Sequence, residues 1–346
     1  MSLATTLQTR KRQRLILALI LFGFMAVLMW LSLISGSNGF EFADTQKLLT
    51  LTTQEQTFQM IVGSIRFPRA LAALMVGALL GLSGAVMQGV LRNPLASPFT
   101  LGISQAAGFG AAVAIIVLPQ FYFTNPLFAT FSIAICAFLA SMFCAFGILW
   151  ISSLVGMVPT SIILAGVGLG SLFHSGTMFL QYFTDEMSAA ATLFWTFGDL
   201  SKANVTALIV SGVIFVPMLG FFWMNHWKFD ALGFGDESAF NKGVHVNKFR
   251  TFSLIGTALC TAVAVAFFGI IGFVGLIAPH MVRMVLGGSH GALLPLSALF
   301  GAVLLLGADL VARMLLYPTV LPVGILTSFI GAPLLLYLLV TLKRVQ

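Results

Sequence analysis

Residues 64–89 read SIRFPRALAALMVGALLGLSGAVMQG, and after Arg66 and Arg69 the stretch carries no further charge to its end. An α-helix rises about 1.5 Å per residue, so some 20 apolar residues cross a hydrocarbon core of roughly 30 Å. Ala70–Gly89 has that length, with two permanent cations at its mouth. Its glycines at 77 and 81 form a small-xxx-small step, which lets helix backbones approach closely where lipid offers no hydrophobic drive for association.

The same pattern recurs along the chain. Of 346 residues, 59% are hydrophobic and 8% charged, against about 25% charged in soluble domains. Apolar runs fall near 15–34, 67–91, 99–118, 126–150, 158–183, 204–224, 250–271, 273–287, 292–314 and 321–341. They are continuously apolar, without the alternation of a membrane β-barrel, so each must satisfy its own backbone polar groups as a helix. The expected class is all-α: a polytopic membrane protein with about ten transmembrane helices, forming a single transmembrane unit over 1–346.

Basic residues orient it. The first run follows Arg10, Lys11, Arg12 and Arg14, which a secretory signal would also show. The run lacks an A-x-A site and further spans follow, so it reads as a retained helix with its basic end in the cytoplasm. Ten spans then place both termini in the cytoplasm. Arg10, Lys11, Arg12, Arg14, Arg92, Lys228, Lys242, Lys248, Arg250, Arg283, Lys343 and Arg344 fall inside, and only Lys47, Arg66, Arg69, Lys202 and Arg313 outside. This bias accounts for the formal charge of +7 without invoking nucleic acid.

Two polar stretches exceed a turn. One is the external segment 36–60. The other is the cytoplasmic loop 225–249, where Gly235, Asp236, Glu237 and Ser238 read as a helix start and Lys242 with Gly243 as its basic end and stop.

Catalytic signatures are missing: the sequence contains no G-x-x-x-x-G-K-[ST], H-E-x-x-H or G-x-S-x-G. Cys136, Cys144 and Cys260 lie inside spans without C-x-x-C spacing and read as small core residues. In span five, Leu164, Gly168, Ser171, Ser175 and Met178 share one helical stripe, which suits either a wide solute path or helix packing. His174 beside it, like His280 after Pro279, reads as structural. Within the membrane the ionisable residues that stand out are Asp309 and Arg313, spaced i, i+4 to pair on one helix face. Ion-coupled carriers usually need more intramembrane carboxylates than this, so energy is expected from elsewhere. A faint echo links 77–91 (GALLGLSGAVMQGVL) with 301–315 (GAVLLLGADLVARML); shared small-residue composition would also produce it.

Several longer motifs occur together: RNPLASPFTLGIS (92–104), FWTFGDLS (194–201), GFVGLIAPHMVRMVLG (272–287), GADLVARM (307–314) and LPVGILTSFIGAP (321–333), with RFPRALAALMVGALLGLSGAVMQ before them. From about residue 60 onward the chain resembles the FecCD family, the permease subunits of ABC importers for ferric siderophores, haem and cobalamin. The resemblance implies a ten-helix permease of the type II kind in the inner membrane. It would be paired with an identical or sister permease, two cytoplasmic ATPases that bind the ATP and Mg²⁺, and a periplasmic solute-binding protein.

It further implies that Arg66, Arg69 and Arg313 meet acidic groups of the binding protein. Gly235, Asp236, Glu237, Ser238, Ala239 and Gly243 would form the coupling segment against an ATPase. The sequence departs from the family pattern at Lys242, where leucine is common, and at Val320, where an acid is common. RNPLASPFTLGIS looks more like the iron-chelate branch, so the expected cargo is a ferric siderophore, with Gly168, Ser171, Ser175 and Met178 along its path. A channel or ion-coupled carrier without ATPases is the alternative of another class.

Overall fold

The computed structural model describes residues 3–36, 39–40, 60–118, 126–316 and 319–342. Most of the external segment 36–60 lies outside these residues, as do Lys47, Lys343 and Arg344. The described chain is almost entirely helical. Helices are α1 (Leu3–Ile34), α2 (Phe67–Leu91), α3 (Ile103–Ala112), α4 (Pro126–Leu154), α5 (Pro159–Tyr182), α6 (Glu186–Thr196), α7 (Val205–Met224), α8 (His226–Leu232), α9 (Asp236–Asn241), α10 (Val246–Phe268), α11 (Val274–Leu286), α12 (His290–Met314) and α13 (Val323–Leu342). Wide π-turns precede α2 (Val62–Arg66) and extend α3 (Val113–Val117), and a two-residue ribbon pairs Ser35–Gly36 with Gly39–Phe40.

Every apolar run expected from the sequence is a helix, but they are not ten equal spans. Among the described residues seven helices are long and apolar enough to cross a membrane, whereas Ile103–Val117, Val274–Leu286 and Val323–Leu336 are shorter apolar helices. Local chemistry explains two of the shortfalls. Between α2 and α3, Arg92 (φ 48°) and Gly102 (φ 78°) are left-handed, and Pro94 and Pro98 break helix continuity, so residues 99–102 turn rather than coil. Between α10 and α11, Gly269 (φ 77°) and Phe273 (φ 65°) hold the chain open.

Helix α2 is the centre of the molecule. All but five of its 25 residues are buried, and α12, α11, α10 and α7 pack around it. A second group, α3, α4 and α5, joins through α10. The closest pairing, α2 with α12, depends on glycine. A β-carbon on Gly77 would collide with the Gly301 backbone, and one on Gly81 with the Ser297 carbonyl. The two segments whose sequences echo one another lie on these two helices but meet only at their starts, where Gly77 and Gly81 face Gly301. Because Arg69 meets Asp309 while Gly89 meets His290, the two helices run antiparallel and share both ends.

A second close junction gathers two of the motifs and the break just before a third. Gly198 after α6, the 269–271 break and Gly324 in α13 approach so tightly that side chains at the two glycines would strike the Ile270 and Phe197 carbonyls. The Asp199 N–H donates to the Phe268 carbonyl at 2.7 Å and the Gly324 N–H to that of Gly198 at 3.3 Å. Helix α6 itself was not expected from the apolar pattern. Asp185 caps it, accepting from the Ser188 N–H at 2.9 Å, with Glu186 in its first turn.

Candidate functional site: two polar ends and a cleft

At one end of the α2–α12 pair lie the three arginines. Asp309 is fully buried in the last turns of α12, and Arg69 Nε donates to its Oδ1 at 2.9 Å. Arg313, one turn along, holds Nε 3.1 Å from Oδ2, a charge contact whose alignment falls short of a hydrogen bond. The i, i+4 pair is thus present. Arg313 also reaches α1, where Nη2 donates to the Ser32 hydroxyl at 2.6 Å and Nη1 to the Ser32 carbonyl at 3.3 Å. Arg66, half-buried in the π-turn, donates from Nη1 to the Leu33 carbonyl at 2.8 Å. The arginines share one corner of the bundle, but Arg69 and Arg313 are turned toward Asp309, with side chains only 8% and 11% exposed. Among the described residues the corner gathers three guanidinium groups and one carboxylate.

The opposite end carries the 225–249 loop, which folds into two short helices where one was expected. Asp230 of α8 accepts from the His290 N–H at 2.9 Å and lies 2.7 Å from its Nδ1, fixing the loop to the start of α12. Burial pushes the Asp230 carboxyl up, but the side-chain and backbone bonds from His290 outweigh it and hold the group below its usual range.

Gly235 (φ 109°) makes the sharp entry into α9, and Gly243 (φ 82°) leaves it. Asp236, the first residue of α9, lies 3.0 Å from Arg250 Nη2 and 3.3 Å from Arg92 Nη2. Ala239 is buried, and its carbonyl accepts from the Lys242 and Val244 N–H groups. Ser238 is half-buried, while Glu237 and Gly243 face outward. So do Phe234 and Phe240, which the sequence reading did not single out; exposed aromatics on a polar loop were the available signal. Lys242 stands with Nζ 4.9 Å from the Phe234 ring centre. Beside α9 a cleft of about 710 Å³ is lined by Glu237, Phe240, His245 and Lys248 among others.

Between these ends, α3, α5, α6 and α13 enclose a cleft of about 750 Å³. Its polar lining is Gln105, His174, Thr177, Gln181, Thr196 and Ser328, set among Phe99, Phe197, Ile270 and Phe329, and among the described residues no Asp, Glu, Lys or Arg lines it. The stripe Gly168, Ser171, Ser175 and Met178 is exposed on α5 but does not line this cleft. At about 100° per residue, it lies roughly a quarter-turn from His174, Thr177 and Gln181. Helical spacing gave the stripe correctly, but the enclosed part of α5 is its neighbouring face. Val320, before α13, is exposed. Among the described residues the three cysteines are free, and no group of His, Cys, Asp and Glu could hold a metal ion.

Known proteins show the same organisation. The family model of the FecCD transport family matches residues 19–341. A hemin transport system permease of Yersinia pestis is 34% identical, the alignment covering 92% of this chain and 95% of that protein. An Fe(3+)-citrate import system permease of Bacillus subtilis is 36% identical, covering 96% and 97%. A cobalamin import system permease of Halobacterium salinarum is 37% identical, covering 82% and 74%. Among solved structures, an inward-facing conformation assigned to a metal-chelate type ABC transporter superposes with a TM-score of 0.78 at 31% identity, covering 93% of this chain and 99% of that one.

Proposed function

Since the chain belongs to the FecCD transport family and is a membrane-embedded permease of ABC importers, we propose that it conducts a ferric siderophore delivered by a periplasmic solute-binding protein. It is a transport subunit and not an enzyme; ATP and Mg²⁺ belong to separate ATPase chains. Both termini face the cytoplasm in this reading, which puts the arginine corner outside and α9 inside.

The observation that carries the cargo proposal is the cleft beside α5. It offers amide, hydroxyl and imidazole groups on an apolar wall, with no charged side chain among its described residues to grip the solute. Such a lining lets a bulky chelate with mixed polar and apolar surface slide, with binding strong enough to orient and weak enough to release. Ser171, Ser175, Gly168 and Met178 on the adjoining open face would complete the path against a second permease, identical or sister. The arginine corner supports docking of acidic groups: guanidinium groups at a rim steer and orient an oppositely charged partner, an effect mainly on association rate. Glu237, Ser238 and Gly243, with Phe234 and Phe240, offer the ATPase its contact, while Asp236 and Ala239 hold that surface in place.

Relatives named for haem, ferric citrate and cobalamin are of similar identity, so likeness alone does not select the cargo. Uptake of labelled ferric siderophores, haem and cobalamin by cells with and without the gene, under iron limitation, tests the choice. Gene-dependent uptake of a ferric siderophore is expected. Dependence of haem or cobalamin alone would overturn the cargo while leaving the importer.

A further inference from the structure

We propose that Arg250 is a positioning residue that makes α5, the helix beside the cleft, follow the displacement of α9. The inference rests on the reading that α9 meets an ATPase, and adds how the push reaches the transport path.

Arg250 lies in the second turn of α10, and its side chain is 1% exposed. Its guanidinium divides between two targets. Toward α9, Nη2 donates to Asp236 Oδ1 at 3.0 Å, with further contacts to Oδ2 at 3.3 Å from both terminal nitrogens. Toward the transport path, Nη1 donates to the Met157 carbonyl at 2.9 Å.

Met157 is the penultimate residue before α5. It is buried, left-handed at φ 56°, and follows Gly156 at φ 93°. A non-glycine residue holds such a conformation only where its surroundings fix it. Here they do so through its own N–H, which donates to the Ser152 carbonyl at 2.8 Å, and through Arg250 on its carbonyl. From Pro159 the helix runs on to His174, Thr177 and Gln181 at the cleft.

One planar, buried fork therefore joins the first residue of α9 to the turn that starts α5. Charge-assisted bonds are stronger than neutral ones, and a planar guanidinium transmits orientation that a lysine point charge does not. The other cation on Asp236 differs. Arg92, at the end of the central helix α2, is 39% exposed and makes a single 3.3 Å contact, a weaker tie. When α9 moves, the stronger link takes α5 with it and leaves α2 in place.

The test uses the importer purified with its own ATPase chains and reconstituted in liposomes. A Ser171→Cys reporter on α5 is labelled with a maleimide, with and without ATP plus vanadate. In the otherwise unaltered complex the labelling rate should differ between the two states by about fivefold or more, the lower range of coupling between sites. Arg250→Met should keep ATP hydrolysis while the two labelling rates become equal, and Arg250→Lys should restore only part of the difference. If Arg250→Met fails to assemble, Asp236→Asn decides, since it keeps the bond to Met157 and weakens only the link to α9. A full labelling response in either variant that hydrolyses ATP overturns the relay. No response in the unaltered complex overturns instead the coupling reading beneath it.

Discussion

The two ends of the α2–α12 pair solve the same electrostatic problem differently. Each places one aspartate between two arginines. At the Asp309 end all three groups are buried, the carboxylate completely. At the Asp236 end only Arg250 is buried, while the carboxylate is 37% and Arg92 39% exposed. A fully buried charge cluster is rigid because removing any member strands the others in low dielectric. A half-open one can exchange a partner for water at modest cost. The Asp309 end is built as a lock and the Asp236 end as a joint, which suits a helix pair that stays in place while α9 moves against its open end.

Removing the lock should produce the largest effect. Asp309→Ala leaves two buried guanidinium groups without their acid, a loss of about 3–5 kcal/mol, read as a fall in folded protein or in thermal stability in detergent. Unchanged stability would break the comparison at its strong end. Next comes the crossing that holds the two ends in register: Gly301→Leu forces α2 and α12 apart where a side chain meets the Gly77 carbonyl, at a cost of about 1–3 kcal/mol. Arg92→Gln, at the open end, should change stability by less than about 1 kcal/mol; a penalty as large as that of Asp309→Ala would erase the distinction.

The smallest effect is acid-dependent. The Asp230 carboxyl is held below its usual range by His290, so its contribution is fully present above about pH 4. That contribution disappears as pH falls through the depressed folded value. Asp230→Asn should remove that part of the acid dependence in a pH series of unfolding curves, leaving the Asp309 end unaffected.

Much of this was legible in the chain itself. The ten apolar runs set their helices because hydrophobic length is a local property, and Asp309 with Arg313 was visible because i, i+4 partners share a helix face. The capture of Arg69 by Asp309 was not, since the two are 240 positions apart and meet only through the α2–α12 crossing. Arg250 likewise read as a loop-flanking cation until folding placed Asp236 and Met157 around it. For α5, spacing gave the stripe through Ser171 and Ser175 but not the neighbours, and the neighbours decide which face a cleft occupies. Helix α6 is short and polar at its start, so its signal was the Asp185 cap rather than an apolar run.

If the proposed function holds, this chain moves a ferric chelate only when partner ATPases drive it. Liposomes containing the permease and its ATPase chains, with ATP inside and the binding protein and a ⁵⁵Fe-labelled siderophore complex outside, test it. Internal accumulation that requires ATP and stops with a hydrolysis-dead ATPase is expected. Equal uptake by liposomes holding the permease alone would contradict it and make the chain a channel or carrier.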